Sequence, residues 1–224
     1  MSAPRRLTDV LWTLKWFAIV ALLAFAIDML YVFWPYPDGP RGVEPLRDTV
    51  HREAEIVGRL ADERSRGFIR TIVTGAHTAC FVWTGIDEMT IRFADPAPLP
   101  ETDEGMRRLF LANWEALEAA VFGLQLFSMR RGVLLLAVPL FAITAIGAIA
   151  DGLVTWYRRR TVTDRESAFI YHRTKRGLAI AMLGLGLVYL LPPLLVDPRY
   201  VLPPFLLAVA LAVRFVAAYF KKYV

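Results

Sequence analysis

Four stretches of the chain are apolar almost without interruption: "VLWTLKWFAIVALLAFAIDMLYVFW" from Val10, "GVLLLAVPLFAITAIGAIADGLVTW" from Gly132, "GLAIAMLGLGLVYLLPPLLV" from Gly177 and "YVLPPFLLAVALAVRFVAAYF" from Tyr200. A helix needs about 20 apolar residues to cross the hydrocarbon core of a bilayer, and each stretch reaches that length. The first follows a short tail carrying Arg5 and Arg6 and has no small-residue cleavage pattern, so it reads as a retained anchor. Pro35, Pro37 and Pro40 end it, because proline removes a ladder N–H and clashes with the preceding turn. In the last run Pro203 and Pro204 are expected in the first helical turn, where a missing N–H costs least.

Between Pro35 and Arg131 the pattern changes. "LRDTVHREAEIVGRLADERSRGFIRTIV" is charged, with Leu46, Val50, Ile56, Val57, Leu60, Phe68 and Ile69 at roughly helical spacing. "ADPAPLPETDEG" is a loop signal, and a second helical run starts near Met106. That run, "LFLANWEALEAAVFGLQLFSM", contains Asn113, Glu115, Glu118 and Gln125. Each charge at mid-membrane costs roughly 2.5–3.5 kcal/mol on insertion scales, so 106–131 reads as an amphipathic helix outside the membrane that continues into the span.

Charge distribution decides between four and five spans. With four, the N-terminal tail, the 158–176 loop and Lys221-Lys222 share one side, which the positive-inside rule makes the cytoplasm. Residues 35–131, with 15 acidic against 12 basic residues, fall on the other side. A fifth span over 106–129 would put two basic clusters outside. The expectation is therefore an all-α polytopic membrane protein with four transmembrane helices and a helical periplasmic region between the first and second. Its parts are 1–34 (tail and first span), 35–131 (periplasmic helices), 132–157 (second span), 158–176 (basic cytoplasmic loop or helix) and 177–224 (third and fourth spans with a short cytoplasmic tail).

The loop "RRRTVTDRESAFIYHRTKR" holds seven Lys or Arg among its nineteen residues. Orienting the chain and touching anionic lipid headgroups explains charge of this kind. It is also organised beyond that need. Thr163 to Glu166 has the form of a capping box, which predicts a helix from Asp164 into the third span. Arg165, Phe169, His172 and Arg176 then share one face, with Glu166, Tyr171 and Lys175 beside them. Bases mixed with an aromatic ring suit a protein partner or phosphates, and these seven residues are the candidate partner-binding set.

Polar residues inside the spans call for partners. Asp28 lies late in the first span, and Asp151 lies one to two turns from Arg158, its expected structural partner. Arg214 is expected to snorkel toward the headgroups. Thr144, Ala148 and Gly152 form a small-residue stripe at four-residue spacing, a candidate helix-packing face, and Gly177 and Ala181 form a shorter one.

Composition removes several function classes. The hydrophobic fraction is 56% and mean hydropathy is positive, beyond an ordinary soluble domain. A net charge of +5 on such a chain reports orientation more than nucleic acid. Cys80, the one cysteine, leaves no internal disulfide and no metal set, and reads as a buried free thiol. The chain has no phosphate-binding G-x-x-x-x-G-K-[ST], no H-E-x-x-H, no G-x-S-x-G and no C-x-x-C. His51, His77 and His172 are widely separated. The expectation is an interaction component with no catalytic, cofactor or metal residues. A small-molecule transporter or membrane enzyme subunit is the alternative, and substrate-dependent uptake in proteoliposomes would favour it.

The segments "DGLVTWYRRR" and "RESAFIYHRTKR", followed by a proline-containing span, a short turn and a last span closing on "FKKYV", carry a family likeness over 151–222. Asp28, Phe33, Trp34 and Pro35 in "AIDMLYVFWP" extend it, while Thr161 to Asp164 stand where relatives are often glycine-rich. The chain resembles the integrating conjugative element membrane proteins, relatives of a conjugation membrane protein of H-type plasmids. The resemblance implies a role in conjugative DNA transfer at a bacterial inner membrane. It also implies association with the coupling protein, the membrane ATPase that brings DNA to the type IV secretion channel, and with other secretion components. DNA contact and homo-oligomer formation stay open.

Overall fold

The computed structural model describes residues 5–37, 39–95, 100–161 and 168–219, with the side chains of 5–14, 16, 17, 101, 102, 159–161, 168–172 and 175 left out. The described residues are all-helical or loop. Helix α1 is Arg5–Phe33, α2 is Glu44–Leu60 and α3 is Glu63–His77, which passes into a π-helical turn Thr78–Val82. Then follow α4 (Ile86–Ala94), α5 (Glu101–Ala112), α6 (Trp114–Thr161), α7 (Ala168–Leu190) and α8 (Pro198–Ala218). Two of these are long and apolar enough to cross a membrane, α6 over Trp114–Arg158 and α8 over Pro198–Ala218. Shorter apolar stretches lie in Ala18–Phe33 of α1 and Arg176–Leu190 of α7.

The chain forms two compact units. The first runs to Gly132 and takes in Leu191–Leu195; the second comprises Val133–Leu190 and the chain from Val196 onward.

In the first unit α1 stops at Phe33, just before the prolines. Arg41 then covers the exit, its guanidinium 4.8 Å from the Tyr31 ring centroid and 4.1 Å from that of Tyr36. Helix α2 buries Leu46, Val50, Glu53 and Val57 along one stripe. The periodic run beyond it divides in two. Ala61 is extended, and the Asp62 carboxylate accepts a bond from Ser65 N at 3.0 Å, capping α3. Hydrogen bonds from Ser65, its side chain first and its backbone N–H second, hold the Asp62 carboxyl below its ordinary pKa. The break leaves Leu60 and Phe68 exposed, at 46% and 44%, while Ile69 turns inward.

The run from Met106 is likewise divided. Asn113 turns its side-chain Nδ2 back onto Leu109 O (2.8 Å) and separates α5 from α6. From Trp114 onward the helix runs unbroken through the start of the apolar stretch. Of the charges that make this run a poor span, one is paired within the protein. Glu118 ion-pairs with Arg47 of α2, and Glu115 Oε1 lies beside Gly42. Gly42 has φ +73°, a conformation that L side chains rarely adopt, and a Cβ there would sit 3.2 Å from that oxygen. His51 meets the edge of Phe122 at 6.4 Å.

In the second unit α7 and α8 pack together, with Gly184 against the Phe205 ring; a Cβ on Gly184 would lie 3.2 Å from Cε1. Helix α8 begins earlier than its proline pair suggests. Asp197 caps it by accepting from Arg199 N at 2.9 Å and Pro198 opens the first turn, so Pro203 and Pro204 lie inside the helix. Most large apolar side chains face outward, among them Ile143, Ile146, Ile180, Leu183 and Leu207. A helix group that is apolar on its outside suits lipid rather than water.

Candidate functional site

The first unit is organised around one buried arginine. Arg130 lies on α6 between the buried residues Met129 and Phe127 and the start of the apolar run, and it is 0% exposed. Its Nε donates to Glu53 Oε1 at 2.8 Å and one terminal nitrogen donates to Oε2 at 2.6 Å. Glu53, also 0% exposed, occupies the apolar stripe of α2. The guanidinium also donates to the carbonyls of Pro192 and Leu194, both at 2.6 Å. Those carbonyls lie past the end of α7, where Pro192 and Pro193 bring no N–H of their own. A planar fork with five donors makes two bonds to the carboxylate and one to each carbonyl, where a lysine ammonium has three donors and no fork.

Charges taken out of water are tolerated only when paired and hydrogen-bonded throughout. Arg130 and Glu53 meet that condition, and so tie α2, α6 and the 191–195 segment together. Asp28 of α1 joins the same unit. It is 4% exposed, lies within electrostatic reach of Arg130 and rests on Gly123 of α6. A Cβ on Gly123 would sit 3.1 Å from the Asp28 Cγ, so only glycine leaves the carboxyl its room.

The second unit holds a separate clamp. Asp151 of α6 ion-pairs with Arg214 Nε of α8. The sequence pointed Asp151 toward Arg158 and Arg214 toward the headgroups; the close approach of α6 to α8 joins them to each other instead. That approach is made at Gly152, where a Cβ would lie 2.5 Å from Arg214 O and 2.6 Å from Ala217 Cβ. Gly152 is buried, and Thr144 and Ala148, on the same face, are half-buried.

The candidate partner-binding residues have a different standing. Arg165 and Glu166, with the capping box, lie outside the described residues. Phe169, Tyr171, His172 and Lys175 are on the first turns of α7, where the backbone alone is described, and Arg176 is exposed. Cys80, expected to be buried, is exposed. The π-helical turn rotates it outward while Phe81 takes the buried position. Among the described residues no group of His, Cys, Asp or Glu comes together that could hold a metal ion.

Glu53 and Arg130 were not singled out by sequence reasoning, although a signal existed. Glu53 interrupts the stripe Leu46, Val50, Val57, and Arg130 follows four buried residues of α6. An acid within one apolar face and a base within another are a pair in waiting.

No curated protein and no solved structure matches the chain. A family model does, over residues 41–221, from the helices around Arg130 to the end of the last apolar helix; its description is IncC plasmid conjugative DNA transfer protein DtrJ-like. With most of its length matched, the chain belongs to the DtrJ-like family, and its role lies in conjugative DNA transfer.

Proposed function

We propose that this protein is a non-enzymatic inner-membrane component of the conjugative apparatus, with four crossings and both termini in the cytoplasm, that associates with the coupling-protein ATPase. Within its family it belongs with the integrating-element membrane proteins akin to that of H-type plasmids. The Glu53–Arg130 ion pair carries the topological half of this reading. Two residues 2.6 Å apart must lie on the same side of a hydrocarbon core about 30 Å thick. Were 106–129 a crossing of its own, they would lie on opposite sides. Helix α6 also runs from Trp114 to Thr161 without the reversal that two crossings flanking Arg130 need.

The bond from Arg130 to Leu194 fits a hairpin of α7 and α8 that returns to this same face. Helices α1 and α7, at 29 and 23 residues with shorter apolar stretches over Ala18–Phe33 and Arg176–Leu190, supply the other two crossings of this reading. The basic tail, loop and C-terminus then share the other face, the cytoplasm. Association with the ATPase rests on the resemblance to the conjugation membrane proteins, and a sequence without nucleotide-hydrolysing motifs of its own agrees with it.

Affinity purification from a conjugating donor, read by mass spectrometry, tests the partner; recovery without the coupling protein overturns that part. A reporter active only in the periplasm tests the topology. It is expected to be active after Pro100 and inactive after Arg160 or at Val224, and activity at Val224 overturns four crossings.

A further inference from the structure

Helix α3 carries a basic face that nothing described so far uses. Arg66 and Arg70, four residues apart, line one edge of its exposed arc; Arg64 and Phe68 line the other, with Gly67, Thr71 and one acid, Glu63 of the first turn, between. The three arginines are exposed and make no ion pair with another described residue. Asp62 is within electrostatic reach of Arg66, but its carboxylate is engaged by Ser65 N. The opposite side of α3 is fixed. Ile69 is packed on Gly132 of α6, so closely that a Cβ there would lie 3.0 Å from Ile69 Cγ1 and 3.3 Å from Ile69 Cα.

Gly132 is the residue at which the apolar run of α6 begins, and from there no charge occurs before Asp151. The Ile69 contact therefore sets α3 at the level where α6 enters the hydrocarbon. At that level the surrounding anions are lipid phosphates. Arginine stems with charged ends, an aromatic ring beside them and small residues between suit a helix lying at the headgroup layer. From the height of α3 and its unpaired bases we infer that the Arg64, Arg66, Arg70 and Phe68 face is a docking surface for anionic lipid headgroups. The site is distinct from the 158–176 loop and rests on the membrane-crossing reading above. Each arginine contributes about fivefold to partition onto an anionic surface, and Glu63 offsets part of that gain.

The test uses the full chain in proteoliposomes. Gly67 has no atom within 4 Å of a built Cβ, so Gly67→Cys on a Cys80→Ser background takes a spin label without a clash. Vesicles of phosphatidylcholine alone are compared with vesicles also containing phosphatidylglycerol. The expected result is a label less mobile and less accessible to an aqueous nickel relaxant in the anionic vesicles. Arg64→Gln/Arg66→Gln/Arg70→Gln is expected to abolish the difference, and the single change Arg66→Gln to reduce it. The corresponding triple lysine variant is expected to keep it, since headgroups accept a point charge. A label equally accessible in both vesicles, in a chain that floats with the liposomes and resists carbonate, overturns this inference and leaves the crossings standing. A chain that carbonate extracts overturns both. Protection by an acidic polypeptide or an oligonucleotide but not by lipid assigns the face to another partner and overturns the lipid assignment.

Discussion

Arg130 grips Glu53 with two parallel hydrogen bonds, 2.8 and 2.6 Å long, while both side chains are shut off from solvent. The pair joins α2 to α6, and the further bonds of Arg130 to the Pro192 and Leu194 carbonyls tie both to the segment linking α7 and α8. Breaking it strands a charge. Glu53→Gln or Arg130→Met is expected to cost about 3–5 kcal/mol. Arg130→Lys is expected to fall short too, because an ammonium has three donors for the four bonds that Arg130 makes and no planar fork to match the carboxylate. Thermal unfolding in detergent, beside an immunoblot of the membrane fraction, measures the loss. A lysine variant with wild-type stability would show that the fork geometry is dispensable.

The approach of α6 to α8 predicts a steric effect. Gly152→Leu is expected to overpack the contact with Arg214 O and Ala217 by about 1–3 kcal/mol. Ala148→Leu, at a half-buried position of the same face, is expected to disturb it less. Lower membrane abundance and weaker partner recovery are the readouts. Unchanged behaviour of Gly152→Leu would mean that the two helices separate in the bilayer.

The cap at Asp62 predicts a pH dependence. Its hydrogen bonds with Ser65 hold the carboxyl below its ordinary pKa. The contribution is thus fully present above the unfolded carboxyl pKa and is lost as pH falls through the folded one. Asp62→Asn keeps a capping oxygen without the titrating charge. The protection of the Ser65 amide, its exchange rate compared with the intrinsic rate at each pH, is expected to fall on acidification in the wild type and to change less in the Asn variant. The same acid response in both would place the titrating group elsewhere.

The basic loop predicts a separation of orientation from docking. Phe169→Ala leaves charge untouched, and Arg165→Lys keeps it while losing the bidentate fork. Both are expected to lower mating frequency with insertion and abundance intact. Glu166→Gln keeps the capping geometry and is expected to do less. Wild-type transfer by Phe169→Ala and Arg165→Lys would leave the cluster as an orientation signal.

Local chemistry determined what the sequence alone could deliver. Uninterrupted apolar runs and the prolines after Trp34 fixed where the greasy helices lie and where α1 stops, because hydropathy and a missing N–H act within a few residues. The four-residue spacing of Thr144, Ala148 and Gly152 is local in the same way, since a helix repeat needs no knowledge of its neighbour; the close approach itself is seen at Gly152. The breaks at Asp62 and Asn113 were less visible: each is one side chain turned onto nearby backbone within an otherwise periodic run. What only the tertiary structure decided is which charges meet. Glu53 finds Arg130 at a sequence separation of 77, and Asp151 meets Arg214 of another helix. A charge in an apolar face announces that it needs a partner. The partner's identity depends on how helices stack, and no local pattern records it.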